Sequence, residues 1–222
     1  MHATVRRIPI PNLGKPTIPS PLNRSTTPGD GLTDFIPDDL LVQHEVCFRE
    51  GAMPEELTFF ERSGAREKIF FDPAKVKAAI VTCGGLCPGL NNVIHSIFLE
   101  LHFLYGVKNI VGIRYGYQGL NPEVGLPPIP MTLDMVDRIH EDGGTILGTS
   151  RGQQDPNKMA DFLVEQGINI IFCIGGDGTQ RGAFALYETI RQRELDIAVV
   201  GIPKTIDNDI GWVQRYLDQK KG

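Results

Sequence analysis

Three segments of this chain hold the residue types that phosphoryl transfer uses: glycines that let backbone approach phosphate, a carboxylate for a metal ion, and a carboxylate pair beside a hydroxyl and a lysine. They are Gly84-Gly85-Leu86-Cys87-Pro88-Gly89-Leu90-Asn91, Gly175-Gly176-Asp177-Gly178-Thr179, and Pro203-Lys204-Thr205-Ile206-Asp207-Asn208-Asp209. Each follows an apolar run with the character of a strand.

The first segment reads as a strand–glycine–helix junction, which offers backbone N–H groups and a helix N-terminus to phosphate. It lacks the Gly-Lys-Ser/Thr of a Walker loop, and a tight turn without a ligand is the alternative. In the second, glycines frame Asp177, which can reach Mg²⁺ directly or through water. The plainer reading makes Asp177 a helix cap. In the third, Asp207 and Asp209 are two residues apart, so extended backbone aims both to one side. A carboxylate there can take the proton of an attacking hydroxyl. The alternative is a polar turn that caps the next element. A fourth stretch, Gly143-Gly144-Thr145-Ile146-Leu147-Gly148-Thr149-Ser150-Arg151-Gly152, ends in a guanidinium that either grips phosphate or is a solvated surface charge. Tyr115 and Tyr117 flank Gly116, either to stack on adenine or to pack on the domain. His44, His95, His102 and His140 have no ligand spacing.

The elements that must position these residues alternate. Residues 76–82, 109–113, 169–174 and 197–202 are continuous apolar runs, the signature of strands buried on both faces. Between them, apolar spacing of three and four predicts helices over 88–105, 132–141, 156–166 and 179–193, with Pro88 in a first turn and Gly106 as a stop. Residues 115–130 read as a Gly- and Pro-rich loop. This is an α/β fold: a Rossmann-like parallel sheet with helices on both faces. Ligands of such sheets bind beyond the carboxyl ends of the strands, where all three segments fall. Residues 1–74 are proline-punctuated and read as an extended N-terminal arm, 75–210 as the nucleotide-binding domain, and 211–222 as a divergent tail.

The chain has 222 residues, 41% hydrophobic, with net charge −5. That balance disfavours nucleic acid and anionic membrane as partners, and no apolar run is long enough to span a bilayer. Arg6, Arg7, Lys15 and Arg24 give the N-terminus a basic character, but its prolines break the amphipathic helix of a transit peptide. Cys47, Cys83, Cys87 and Cys173 form no CxxC pair, which argues for reduced, structural thiols and a cytoplasmic protein rather than a zinc site.

Taken together, GGLCPGLN, GYQGL at 116–120, GGTILGTSRG, GGDGTQRGA and PKTIDNDI resemble the phosphofructokinase family, nearest in wording to its plant and protist, trypanosomatid-type ATP-dependent branch. GGDGT also occurs in NAD kinases and diacylglycerol kinases, whereas PKTIDND separates the chain from them. The resemblance implies transfer of the γ-phosphoryl of ATP to the 1-hydroxyl of fructose 6-phosphate, with Mg²⁺, in a glycolytic enzyme that is a homo-oligomer when full length. It assigns Gly84, Arg151 and Gly152 to the nucleotide. Gly176, Asp177, Gly178 and Thr179 fall to its phosphates, with Asp177 at the metal. Thr205, Ile206, Asp207 and Asp209 fall to the sugar phosphate, with Asp207 as the general base. Gly178 leaves room for the α-phosphate and nucleoside and implies ATP. Lys204 is usual in pyrophosphate-dependent members, which keeps pyrophosphate open as the alternative donor.

The resemblance covers about residues 75–210. The family continues into a TFGF-like segment and a second domain, and Gly211–Gly222 match neither. The expectation is therefore the N-terminal half of such an enzyme, C-terminally truncated and with little or no activity by itself, or else a short non-catalytic, regulatory product that binds nucleotide or intact subunits. A peroxisome-like organelle stays open as its compartment, since a family C-terminal signal would lie in the other half.

Overall fold

In the computed structural model, residues 4–47, 51 and 55–206 are described. The chain divides into two compact units, Met1–Asp72 and Pro73–Gly222.

The first unit holds β1 (Thr4–Ile8), β2 (Ile18–Pro19), β3 (Leu41–Gln43), β4 (Glu56–Glu61) and β5 (Lys68–Ile69). β4 lies at the centre of a three-stranded sheet, parallel to β1 and antiparallel to β3, and β2 pairs with β5. The sequence expectation was an extended arm. The segment instead pairs with itself, because Leu57-Thr58-Phe59-Phe60 supplies one strong β segment to which short, proline-bounded strands can add. Arg66 ties its loops together, donating to the carbonyls of Ile36 and Pro37 and to Glu61, each at 2.8 Å.

The second unit is built on β6 (Lys77–Thr82), β7 (Asn109–Ile113), β8 (Ile129–Pro130), β9 (Ile170–Gly175) and β10 (Ala198–Pro203). Their order across the sheet is β10-β9-β6-β7-β8, with only β8 antiparallel. β6 is central, and Ala78, Ala79, Ile80 and Val81 are all fully buried, so both faces of the sheet are covered at its centre, while the edge strand β10 stays partly exposed. One face carries Ala79, Val81, Ile171 and Cys173 into a core with α3 (Pro156–Glu165) and α4 (Asp177–Gln192). On the other, Gly112 leaves room for Leu147 and Met131, whose atoms lie where a β-carbon would stand. The loop that contains Leu147 is tied to α1 (Leu90–Leu99) through buried Asn91.

The helices depart from expectation in detail. The predicted helix over 88–105 starts two residues later, because Gly89 holds a left-handed φ of 86°, and it passes through a π-helical turn at Glu100–Leu104 before Gly106. The predicted helix over 132–141 is a single turn, α2 (Leu133–Val136), and a 3₁₀ turn at Ile139–Glu141. Only Val136 and Ile139 face the core there, too little to sustain a longer helix. The loop at 115–130 contains 3₁₀ turns at Gly116–Leu120 and Pro122–Val124, and its Pro-rich end joins the sheet as β8. Asp155 caps α3 by accepting from Asn157 N–H at 2.9 Å, with Pro156 in the first turn. His102 stacks on Phe98, and His95 lies against His140.

Candidate functional site

The carboxyl ends of β6, β9 and β10 open onto a cleft of about 710 Å³. Gly84 and Gly85 line it from the loop after β6, and Arg151 and Gly152 from the 142–152 loop. The N-terminus of α4 brings Gly176, Asp177, Gly178, Thr179 and Arg181, and the segment after β10 brings Lys204, Thr205 and Ile206. All the described residues to which the resemblance assigns a role thus share one cleft. Asp207 and Asp209 lie outside the described residues, as does the segment at 211–222.

The geometry follows from an abrupt strand-to-helix transition. β9 ends at Gly175, Gly176 is extended, and α4 begins at Asp177. A β-carbon on Gly175 would overlap the Thr179 hydroxyl and the Cys83 carbonyl, so only glycine lets α4 start this close to β6. Thr179 Oγ1 donates to that Cys83 carbonyl at 3.3 Å. Tyr117 Oη donates to the Thr179 carbonyl at 2.7 Å, and the Tyr117 ring occupies the space a side chain at Gly182 would need. Gly175 O in turn accepts from Lys204 N–H and from the Gln180 amide, both at 3.0 Å, which fixes the segment after β10 to the same corner.

The loops lace together through the backbone of Gly84. Gly84 N–H donates to Ser150 O at 3.1 Å, and Thr149 Oγ1 donates to Gly84 O at 2.7 Å. Ser150 Oγ donates to Tyr115 O at 2.6 Å. Below them, buried Thr82 meets Thr145 Oγ1 and donates to Gly148 O, both at 2.9 Å. Asn91 accepts from Ile146 N–H at 2.9 Å and donates to Asp142 O at 3.2 Å. Thr82, Asn91, Thr145 and Thr149 are therefore positioning residues to which motif reading gave no role of their own, and Tyr117 takes the packing role that was one of its two readings. Their signal in the sequence was a hydroxyl or amide inside an otherwise apolar or glycine-rich run. Of the two tyrosines, Tyr117 is packed in the core, and Tyr115 is half exposed with a left-handed φ of 56° and its ring over Gly148.

Charge in the cleft runs against that of the chain. Arg151, Arg181 and Lys204 line it with one carboxylate, Asp177, among the described residues, while the whole chain carries −5. A small cationic basin in an acidic protein concentrates anionic ligands. The Lys204 ammonium lies 3.5 Å from where a β-carbon on Gly89 would stand, so Gly89 lets it cross the start of α1. Arg151 Nη2 has the same relation to Gly85 at 3.6 Å. Gly178 is exposed, and a β-carbon there meets nothing within 4 Å. Asp177 is paired with Arg181 one turn along α4.

Among the described residues no group of three His, Cys, Asp or Glu side chains could cage a metal. A single carboxylate, completed by phosphate oxygens and water, suits Mg²⁺, which keeps much of its hydration and is rarely held by protein alone. The Asp177 donor fits that mode. The thiols beneath the cleft suit no nucleophilic role. Burial, reinforced by Cys173, pushes Cys83 well above the usual thiol range, and burial raises Cys173 to about 12. Burial likewise pushes the Tyr117 phenol up.

A parallel sheet covered on both faces at its centre, with a cationic, glycine-walled cleft at its carboxyl edge, defines a phosphate-handling α/β protein. The phosphofructokinase family model matches residues 77–215, and the chain belongs to the phosphofructokinase family. An ATP-dependent 6-phosphofructokinase of Borreliella burgdorferi is 56% identical over 160 residues, which are 72% of this chain and 36% of that protein. ATP-dependent 6-phosphofructokinase 7 of Arabidopsis thaliana is 47% identical over 196 residues, 88% of this chain and 39% of that protein. The chain thus spans well under half the length of the curated relatives it matches. Among solved structures, Pichia pastoris phosphofructokinase in the T-state aligns with a TM-score of 0.55 at 22% identity, covering 79% of this chain and 20% of that one, a likeness of fold.

Proposed function

We propose that this chain supplies the nucleotide side of an ATP-dependent 6-phosphofructokinase, which transfers the γ-phosphoryl of ATP to the 1-hydroxyl of fructose 6-phosphate. The observation that carries this reading is the junction at Asp177-Gly178-Thr179. It sets a carboxylate, an open glycine and a helix N-terminus opposite Gly84 and Gly85 in a cleft that also holds Arg151 and Lys204. Backbone N–H groups at Gly178 and Thr179 donate to phosphate oxygens, Gly84, whose own N–H is held by Ser150, borders the phosphates without a side chain, and Arg151 with Gly152 contacts the nucleotide. Asp177 would hold Mg²⁺, which when bound neutralises charge on the transferred phosphoryl group.

On the acceptor side, Thr205 and Ile206 border the sugar, Asp207 is the general base and Asp209 supports it. As the sugar oxygen attacks phosphorus, the Asp207 carboxylate takes its proton and the bond from phosphorus to the ADP oxygen breaks. Gly178 favours ATP over pyrophosphate, because the open space beside it is where an α-phosphate and nucleoside must pass. Calorimetric titration of the purified chain with Mg-ATP and Mg-pyrophosphate tests the reading. Binding of Mg-ATP in preference to pyrophosphate, lost in Asp177→Ala, is expected. Equal binding by Asp177→Ala, or none by the unmodified chain, overturns it. Turnover of fructose 6-phosphate, compared with Asp207→Asn in a coupled assay, tests the role of the base.

A further inference from the structure

Arg181 is a charged residue of the cleft to which neither the motifs nor the roles above give a task. It stands one turn along α4 from Asp177, and its Nη1 lies 2.5 Å from the Asp177 carboxylate. An i,i+4 ion pair of this kind is ordinarily a solvated surface contact of small value. Two observations set this pair apart. Both partners line the cleft, and Asp177 is the sole carboxylate among the described residues that do so. The guanidinium is also half exposed, with its side chain at 51%, so it is free to swing, and Gly178 beside it leaves the way open.

We propose that Arg181 is an exchangeable counter-ion of the metal-binding carboxylate: it holds Asp177 when no divalent cation is bound and moves to the nucleotide phosphates when one is. The inference rests on the nucleotide and metal roles proposed for this cleft. Mg²⁺ on the Asp177 carboxylate comes close to the guanidinium paired with it, and repulsion between the two cations at that distance weakens the ion pair. The displaced guanidinium needs a new anion, and its planar donors match phosphate oxygens. From the second turn of α4 the anions within reach are those of a nucleotide in the same cleft. Metal and nucleotide then promote each other's binding through one side chain, and the coupling is reciprocal.

The test measures the two ligands separately on the full chain. Binding of Mn²⁺ alone, as a stand-in for Mg²⁺, is followed by the electron paramagnetic resonance of the free ion, and Mg-ATP binding by calorimetry. In Arg181→Ala the competitor for Asp177 is gone, so Mn²⁺ alone binds about two- to fivefold tighter, the range of an exposed ion pair. Mg-ATP binds more weakly by at least as much, because a phosphate contact is lost. Arg181→Gln, which keeps the stem without the charge, shifts both in the same directions, and Arg181→Lys falls between. A residue that merely stabilised the helix would weaken both ligands or neither. Unchanged or weaker Mn²⁺ binding by Arg181→Ala and Arg181→Gln, with melting curves like that of the parent chain, overturns the counter-ion role and leaves the nucleotide reading intact. Failure of the parent chain to bind Mg-ATP overturns both.

Discussion

Replacing Gly178 by aspartate separates what the cleft needs for folding from what it needs for its ligand. The residue is the second of α4, with helical backbone and nothing within 4 Å of a β-carbon, so a side chain enters without displacing any neighbour. A carboxylate in the first turn interacts favourably with the helix N-terminus, and loss of a helical glycine also helps, together about 0.5–1 kcal/mol of added stability. The same carboxylate meets the nucleotide. One extra negative charge about 6 Å from a phosphate charge, at an effective dielectric constant of about 20, costs about 2.8 kcal/mol, roughly a hundredfold in affinity. Gly178→Asp is therefore expected to melt at or above the parent temperature while Mg-ATP affinity falls by about two orders of magnitude. Thermal unfolding and calorimetry on the same samples read both effects. Mg-ATP affinity within threefold of the parent chain, or a clear loss of stability, would refute the placement of phosphate against the start of α4.

Three further outcomes follow from contacts around the cleft. Tyr117→Phe removes the hydrogen bond to the Thr179 carbonyl and should cost about 1 kcal/mol in urea unfolding; an unchanged midpoint would show that the contact contributes nothing. Gly182→Ala gains helix propensity but drives a methyl into the Tyr117 ring, so a net loss of about 1–3 kcal/mol is expected, and a stabilised variant would contradict the packing. Cys83 and Cys173 have raised folded-state pKa values, so their contribution is intact below the unfolded value near 9 and is lost as pH climbs toward the folded one, about 12 for Cys173. Unfolding free energy should fall by about 1.4 kcal/mol per thiol by pH 10. The fall should vanish for those sites in a Cys83→Ala, Cys173→Ala variant, and a parent chain equally stable at pH 7 and 10 would overturn the assignment.

Much of the second unit was legible because buried parallel strands announce themselves. Asn109–Ile113 is apolar enough on both faces to be read with the bounds the structure gives it, and Ile170–Gly175 and Ala198–Pro203 shift by one residue. Pattern was less informative where short-range signals compete with distant partners. Pro130 argues against a strand, yet β8 forms because an edge position needs no N–H from proline. In the first unit β1 pairs in parallel with β4 across some fifty residues, Thr4 opposite Glu56, and nothing local in Thr4–Ile8 encodes that partner. Within the cleft, the glycines and Asp177 stood out by type and spacing. Thr82 and Asn91 did not, because their importance lies in which loop each one holds, and the pairing of Asn91 with Ile146 is a tertiary fact.

The ties that shape the cleft span long stretches of chain: 55 residues between Asn91 and Ile146, 63 between Thr82 and Thr145, and 96 between Cys83 and Thr179. No segment of the chain can rehearse this site alone. Loop-closure entropy must be met by sheet assembly before any of these bonds can form, and folds dominated by such distant pairings are slow to reach the native state. The cleft is therefore expected to form late in folding. A nucleotide that binds there selects the finished sheet and shifts the population toward it by mass action. On the proposed reading, the ligand would also act as the last structural element to be added.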